Sequence, residues 1–182
     1  MRLIYIHDNC IPVLKRSIVS IGAFDGVHKG HQVVIKNAIH RAKELKITNV
    51  MYTFDPPPRS YFQGARILTP IDEKVKRLQN LGVEHIVAIR FDESYVTKRA
   101  SYFVKELQRL CPVEIYIGQD FRFGKNREGD IELLREHFNI SIVEDVCCEE
   151  GERISSTRIR NHVCQGELQK SSSLLGWSFK TI

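Results

Sequence analysis

The amino-acid sequence predicts an α/β fold with a mainly parallel sheet of about five strands and helices on both faces. Apolar, β-branched runs alternate with amphipathic helical patterns along the chain, and such alternation requires crossover connections between parallel strands. The run at residues 17–21 is β-branched and mostly apolar, as expected of a strand buried on both faces of a sheet. The length of 182 residues fits one domain, residues 1–182, with a substantial core.

Composition excludes several classes of protein. The 27 Lys and Arg residues exceed the 22 Asp and Glu residues only mildly and form no basic and aromatic stripe, so we expect no nucleic-acid partner. The five cysteines contain no Cys-x-x-Cys pair, which argues against a disulfide framework and structural zinc. The sequence contains neither a signal-peptide pattern nor an apolar run long enough to span a membrane. We expect a cytoplasmic protein that needs no membrane and no obligate protein partner.

The first strand and helix enclose a glycine-rich stretch. Residues 17–21, Ser-Ile-Val-Ser-Ile, are the predicted strand, and residues 3–6 are a further candidate for an edge strand. Apolar residues then recur at spacings of three and four, which predicts an amphipathic helix with one buried face: Val34, Ile35, Ala38, Ile39, Ala42 and Leu45. Residues 22–31 lie between them, where a strand ends and a helix opens, and this context favours a phosphate-binding turn.

The histidines and glycines of this stretch are its candidate functional residues. His28 and His31 are predicted to be helical neighbours whose imidazoles converge on a polyanion at the positive end of the helix dipole. Gly22 and Gly26 would allow backbone torsions closed to other residues, and Gly30 would let the backbone approach a bulky ligand. The alternative is that two surface histidines lie in an ordinary glycine-rich connection.

The second strand, residues 48–54, is stopped by Asp-Pro-Pro-Pro because three prolines cannot continue a sheet. The segment also offers flat apolar groups where a parallel sheet binds its ligands: Phe54, Pro56, Pro58, Tyr61 and Phe62. The alternative is a stiff exit from the strand. A helix follows, with Thr69 predicted as its N-cap, Pro70 at its first position and Gly82 at its end.

Strands at residues 85–91 and 113–118 flank a helix at residues 101–110. The loop at residues 118–130 is both charged and aromatic, so it could supply a carboxylate for a ribose, faces for a ring and cations for phosphates. Alternatively it is a solvated turn whose two Phe residues anchor it to the core. A helix at residues 130–138 and a strand at residues 140–146 follow.

The last candidate segment is Arg-Ile-Ser-Ser-Thr-Arg-Ile-Arg at residues 153–160. Ser155 or Ser156 is predicted to cap a helix that ends at Gly166. Arg153 and Arg160 bracket this helix start, and guanidinium groups suit phosphate oxygens. A simple cap is the alternative interpretation.

These segments resemble, in order, the motifs of the FAD synthetase module of bacterial bifunctional riboflavin kinase/FAD synthetases, within the nucleotidyltransferase superfamily. Residues 24–31 resemble the first motif of this module. Residues 118–124, followed by Gly129-Asp130, resemble a later hallmark. Residues 153–160 resemble the signature that binds the β- and γ-phosphates of ATP. Residues 53–58 resemble Thr-Phe-Glu-Pro-His-Pro, with Asp55 and Pro57 as departures. Leu-Leu-Gly at 174–176 resembles the module's ending, although Trp-Ser-Phe follows in place of Arg-Pro-Tyr.

The resemblance implies a Rossmann-like nucleotidyltransferase fold that transfers AMP from ATP to FMN and gives FAD and pyrophosphate. Mg²⁺ is expected to enter with ATP, since the sequence offers no compact carboxylate cage for a protein metal site. The implied catalytic residues are His28, His31 and Arg160. The implied ATP-binding residues are Gly22, Phe24, Asp25, Gly26, Gly30, Asp120, Arg153, Ser155, Ser156 and Thr157. The implied flavin-binding residues are Phe54, Pro56, Pro58, Phe62, Phe121 and Phe123.

Two other functions remain open. The chain could transfer a nucleotidyl group to another phosphorylated acceptor, or it could be a non-catalytic regulator that binds flavin or nucleotide. The sequence contains no Gly-Lys-Ser/Thr phosphate loop and no Gly-x-Gly-x-x-Gly, so kinase and dehydrogenase functions lack their phosphate cradles. In the family the kinase is a separate domain after the Leu-Leu-Gly ending, and only six residues follow it here. We therefore expect no phosphorylation of riboflavin.

Overall fold

A computed structural model describes residues 3–6 and 11–178. Its six strands are β1 (Leu3–Ile6), β2 (Ser17–Ile21), β3 (Thr48–Asp55), β4 (His85–Arg90), β5 (Pro112–Gly118) and β6 (Ile140–Val143). They form one sheet in the order β1-β4-β3-β2-β5-β6, and every described pairing is parallel. The predicted fold class is confirmed. The candidate edge strand at residues 3–6 is formed as β1, which brings the sheet from the predicted five strands to six. Cys10 and Phe179 lie outside the described residues.

Eight helices lie within the described residues: α1 (Lys29–Leu45), α2 (Pro58–Gln63), α3 (Ile71–Leu81), α4 (Glu93–Val96), α5 (Ala100–Arg109), α6 (Ile131–Arg135), α7 (Ser156–Cys164) and α8 (Leu168–Leu175). The sequence predicts α1, α3, α5, α6 and α7, but it does not predict α2, α4 or α8. The prolines before α2 indicated a loop. Pro58 instead opens the helix, a position where its missing N–H costs nothing.

Helices cover both faces of the sheet. On one face, α1 and α3 pack against Met51 and Ile86 through a buried cluster that includes Ile35 and Leu78. On the other face, α5 packs through Leu107 and its neighbours. Successive residues of a strand point to opposite faces, so both faces of the central strands are apolar. This packing explains why all five residues of β2 are buried.

The order of the strands defines a crevice. The chain moves outward from β2 to β3 and β4, then returns to place β5 on the other side of β2. In open parallel sheets, ligands bind at the carboxyl ends of the strands where the order reverses in this way. The stretch at residues 22–31 follows β2, and the loop at residues 118–130 follows β5. The two segments therefore flank the predicted binding crevice.

Two local predictions are wrong. Thr69 does not cap α3, because Pro70 takes the cap position without a side-chain hydrogen bond and the Thr69 backbone N–H donates to Asp25 instead. The last strand ends at Val143, since Val146 accepts a hydrogen bond from Ile154 in a separate turn. Tertiary contacts override the local signal at both places. Within the described residues, no helix is long and apolar enough to cross a membrane, and the four described cysteines are unpaired.

Candidate active site

The segment at residues 22–31, here called the phosphate turn, has a strained backbone. Gly26 has φ of 90°, and Phe24 and Val27 have φ of 47° and 41°. Side-chain-bearing residues rarely adopt such angles, and each occurrence costs on the order of 1–3 kcal/mol. The surrounding protein must therefore hold this backbone in place.

Side chains from distant parts of the chain, together with the neighbouring Gln32, hold the carbonyl groups of the phosphate turn. The bonds are Thr53 Oγ1 and Lys74 Nζ to Ala23 O (both 3.0 Å), Ser156 Oγ to Asp25 O (2.8 Å), Trp177 Nε1 to Gly26 O (3.1 Å) and Gln32 Nε2 to Val27 O (3.0 Å). Each such bond contributes about 1 kcal/mol net, so together they offset strain of the size that the backbone carries. The predicted backbone freedom is confirmed for Gly26, whereas Gly22 has no positive φ and the prediction is wrong for it.

Asp25 is the main brace beneath the turn. Its buried carboxylate accepts hydrogen bonds from the backbone N–H groups of Leu68 (3.0 Å) and Thr69 (3.1 Å). It also pairs with Arg160 Nη2 at 2.5 Å, and Arg160 Nε donates to the carbonyl of Arg66 at 2.7 Å. Asp25 and Arg160 were predicted to contact ATP. The structure instead engages them with each other, in a position that braces the turn.

The two histidines stack face to face above this brace. Their ring centroids lie 3.5 Å apart with an interplanar angle of 16°. His28 is the N-cap of α1 rather than a helical residue, and its Nδ1 accepts a hydrogen bond from the His31 N–H at 3.2 Å. A Cβ atom at Gly30 would lie 3.2 Å from the His28 ring. Gly30 therefore makes room for this imidazole, in contrast to the predicted close approach of ligand to backbone.

Burial keeps both imidazoles uncharged near neutral pH. The pKa of His28 is lowered to about 4, mainly by burial and in smaller part by the charges of Arg153 and Arg160, against a backbone hydrogen bond that raises it. Burial also lowers the pKa of His31 well below its usual value, assisted by His28 and Lys74. Because Nδ1 of neutral His28 accepts a hydrogen bond, its proton resides on Nε2. His28 thus presents an N–H donor, suited to a phosphate oxygen, without a fixed positive charge.

Gly22 and Phe24 pack beneath the histidines. Phe24 is 2 % exposed, and its ring meets the His31 ring edge-on at 5.3 Å. A Cβ atom at Gly22 would lie 2.9 Å from the Phe24 ring. The Phe24 ring therefore packs beneath the imidazoles, with Gly22 against it, while a contact of either residue with ATP stays a prediction.

The amino end of α7 meets the phosphate turn, and the predicted cap by Ser155 or Ser156 is confirmed. Ser155 is its N-cap and accepts a hydrogen bond from the Arg158 N–H at 3.2 Å. The Ser156 hydroxyl is engaged by the turn, whereas Thr157 is exposed and its hydroxyl accepts from Arg59 of α2. Of the three predicted hydroxyl ligands, Thr157 is thus the most accessible to a substrate.

Arg153 and Asp120, both predicted to bind ATP, lie side by side at the surface. Arg153 Nη1 lies 2.9 Å from Asp120 and its Nε lies 2.9 Å from Asp145. The structure therefore brings the loop after β5 to the start of α7. Exposed ion pairs of this kind contribute about 0–1 kcal/mol, so a charged substrate could compete for either partner.

Lys74 is a residue of the site that sequence reasoning missed. It is fully buried, and its Nζ donates to Ala23 O at 3.0 Å and Phe54 O at 3.1 Å. Burial lowers its pKa to about 8, against the opposing effects of Asp25 and Asp55. Lys74 thereby joins the phosphate turn to the end of β3. The available signal was a lysine on the apolar face of α3, next to Val75 and one turn before Leu78.

An aromatic surface lies beyond the end of β3 and consists of Tyr61, Phe62 and Phe91. Phe62 is 65 % exposed, and the rings of Tyr61 and Phe62 lie 5.6 and 5.8 Å from that of Phe91. Phe54 packs beneath it, 5.6 Å from Phe91. Pro56 and Pro58, half-buried, lie on the segment that leads into α2. The structure therefore brings these predicted flavin residues into one region and adds Phe91, which sequence reasoning placed only in a strand.

The two remaining predicted flavin residues anchor their loop. Phe123 is 6 % exposed and packs 4.8 Å from Phe103 of α5. Phe121 is half-buried and stacks on Phe123 at 5.8 Å. The alternative interpretation, in which these rings fix the loop to the core, is correct for Phe123. Phe121 retains a partly open face.

The comparisons with known proteins agree with this arrangement. Residues 10–158 match the family described as FAD synthetase. A Geobacillus thermodenitrificans protein, provisionally named a bifunctional riboflavin kinase/FMN adenylyltransferase, is 54 % identical over 164 residues, 90 % of this chain and 92 % of the relative. Relatives from Escherichia coli K12 and Listeria monocytogenes, named bifunctional riboflavin kinase/FMN adenylyltransferases, are 33 % and 32 % identical. The chain spans only 55 % and 61 % of their length, while 89 % and 100 % of this chain is matched.

Solved structures show the same fold. A crystal structure described as a macrolide-efflux protein from Streptococcus pneumoniae superposes with a TM-score of 0.86 at 27 % identity, covering 98 % of this chain and 72 % of that one. A pantoate-β-alanine ligase from Francisella tularensis gives a TM-score of 0.50 at 16 % identity, covering 88 % of this chain and 78 % of the ligase. The second similarity supports the fold alone.

Proposed function

Because this chain belongs to the FAD synthetase family, we propose that it transfers AMP from ATP to FMN, giving FAD and pyrophosphate. One structural observation carries the proposal. Lys74 joins the phosphate turn to the end of β3, so a phosphate-binding element and an exposed aromatic surface are built side by side. An enzyme that joins a nucleotide to a flavin phosphate needs both.

The reaction requires positioning more than covalent catalysis. A phosphate oxygen of FMN attacks the α-phosphorus of ATP in line, a new P–O bond forms, and the bond to pyrophosphate breaks. Such transfers are accelerated by fixed donors at the places where negative charge develops. We assign that role to His28, His31 and the amino end of α7, with Arg160 acting through Asp25.

Magnesium enters this proposal with ATP. The described part of the chain contains no group of three or more His, Cys, Asp or Glu side chains that could hold a metal ion. Asp25 accepts hydrogen bonds from two backbone N–H groups and Arg160, so its carboxylate does not fit a metal ligand. When bound, Mg²⁺ would neutralise phosphate charge, while His28, His31 and the amino end of α7 position the substrates. We also propose a cytoplasmic location and no nucleic-acid partner.

The test is a reaction with ATP, Mg²⁺ and FMN, followed by chromatography of FAD and measurement of released pyrophosphate. We expect equal amounts of both products. Parallel reactions with other phosphorylated acceptors test the rival transferase function. Binding of FMN and ATP without either product would support a regulator and contradict the proposal.

A further inference from the structure

Arg59 links the two halves of the site. It lies in the first turn of α2, and its Nη1 donates to the hydroxyl of Thr157 in the first turn of α7. One exposed side chain therefore spans the gap between the helix that carries Phe62 and the helix that faces the phosphate turn. This contact could not be predicted from the sequence, because Arg59 and Thr157 are 98 residues apart.

The positive charge of Arg59 is not balanced by a carboxylate among the described residues. Arg160 is paired with Asp25, and Arg153 is paired with Asp120 and Asp145. Among the described residues, no carboxylate lies within ion-pair distance of Arg59, and the first turn of α7 contains no acidic residue. Arg59 thus lies at the positive end of a helix dipole, where a cation is unfavourable unless an anion joins it.

The position of Arg59 on α2 identifies the anion. Arg59 and Phe62 are three residues apart and so project from the same side of the helix. A flavin ring on the aromatic surface would leave its phosphate, at the end of the ribityl chain, to reach toward α7. We propose that Arg59 binds the phosphate of FMN and holds it against the ATP phosphates, an assignment that rests on the proposed function. A guanidinium fork suits this task because it donates two parallel hydrogen bonds to a phosphate.

The test compares FMN with riboflavin, which lacks the phosphate. Flavin fluorescence titrations of the full chain, with and without a non-hydrolysable ATP analogue, give both dissociation constants. We expect wild-type protein to prefer FMN and Arg59→Gln to weaken FMN binding about 10-fold or more while changing riboflavin binding less than about 2-fold. Arg59→Lys keeps the charge but loses the fork, and should keep part of the preference.

Lys36→Gln supplies the control, since it removes one positive charge from an exposed position of α1; we expect it to bind both flavins like wild type. Three results for Arg59→Gln would overturn the assignment: an unchanged preference for FMN, an equal weakening of FMN and riboflavin binding, or weaker binding of the ATP analogue alone. Wild-type protein that binds neither flavin would overturn the proposed function and the assignment together. If circular dichroism shows that Arg59→Gln is unfolded, Arg59→Lys decides, and an unchanged FMN preference in it means that the fork is not used.

Discussion

At the scale of single residues, the neutral histidines determine how the fold responds to acid. The pKa of His28 is about 4 in the folded protein against 6.5 in an unfolded chain, so the unfolded state binds more protons between these values. Stability is therefore unaffected above pH 6.5 and falls as pH drops toward 4. For His28 alone we expect a loss of roughly 2 kcal/mol between pH 7 and pH 5.

Urea unfolding at pH 7 and pH 5 gives the change in the free energy of unfolding for wild type and for His28→Gln. The difference between these two changes measures the contribution of His28. His40→Gln is the matched control, because His40 is exposed on α1. We expect His28→Gln to flatten the pH dependence and His40→Gln to leave it unchanged. Equal pH dependence in wild type and His28→Gln would contradict burial of an uncharged imidazole.

The same histidines should dominate turnover. If His28 and His31 bind the phosphates as we propose, His28→Ala and His31→Ala each remove a preorganised contact, and we expect kcat to fall by about 10²-fold or more while the fold remains intact. Steady-state FAD formation measures kcat, and circular dichroism checks the fold. His40→Ala again serves as control. Unchanged kcat in both His28→Ala and His31→Ala would contradict a role of these histidines in catalysis.

The hydrogen bonds and ion pair of Asp25 should contribute far more to the free energy of unfolding than the exposed ion pair of Asp120. Asp25→Asn leaves Arg160 without its buried partner, and we expect a loss of about 3–5 kcal/mol in the free energy of unfolding. Asp120→Asn breaks only an exposed pair and should cost less than about 1 kcal/mol. Urea unfolding compares them. Similar small losses in both variants would show that Asp25 does not stabilise the turn.

At the scale of elements, α2 presents the aromatic surface, and its Phe62 ring should serve flavin rather than ATP. Phe62→Ala removes apolar area from one substrate only, so we expect the KM for FMN to rise more than the KM for ATP. Val13→Ala, at a residue that is 71 % exposed, controls for loss of a surface apolar group. A Phe62→Ala variant with equal increases in both KM values would argue against this division of the site.

The contrast between α1 and α2 shows what the sequence can predict. The strand, turn and helix around residues 17–45 could be predicted because their signals are local: an apolar run, glycines and a helical period. The role of Asp25 could not, since its partners Leu68 and Arg160 lie 43 and 135 residues away. Lys74 and Arg59 were missed for the same reason, and α2 was missed because its opening proline is also typical of a loop.

At the scale of the whole molecule, the turn should respond to ATP together with its distant supports. Excess ATP with Mg²⁺, at about 100 times the dissociation constant, stabilises the fold by about 2.7 kcal/mol. We expect slower amide exchange at residues 22–31, at Leu68 and Thr69, and around Trp177, which donates to Gly26. Hydrogen exchange with mass spectrometry measures this. Amides of α6 are the internal control, and protection confined to residues 22–31 would contradict the coupling.

The bond between Trp177 and Gly26 also bears on how the protein is made. A ribosome adds residue 26 well before residues 74, 156 and 177, so a nascent chain carries the phosphate turn without three of the side chains that hold its carbonyls. The final backbone conformation of the phosphate turn is therefore among the last features for which the growing chain has all the supporting side chains.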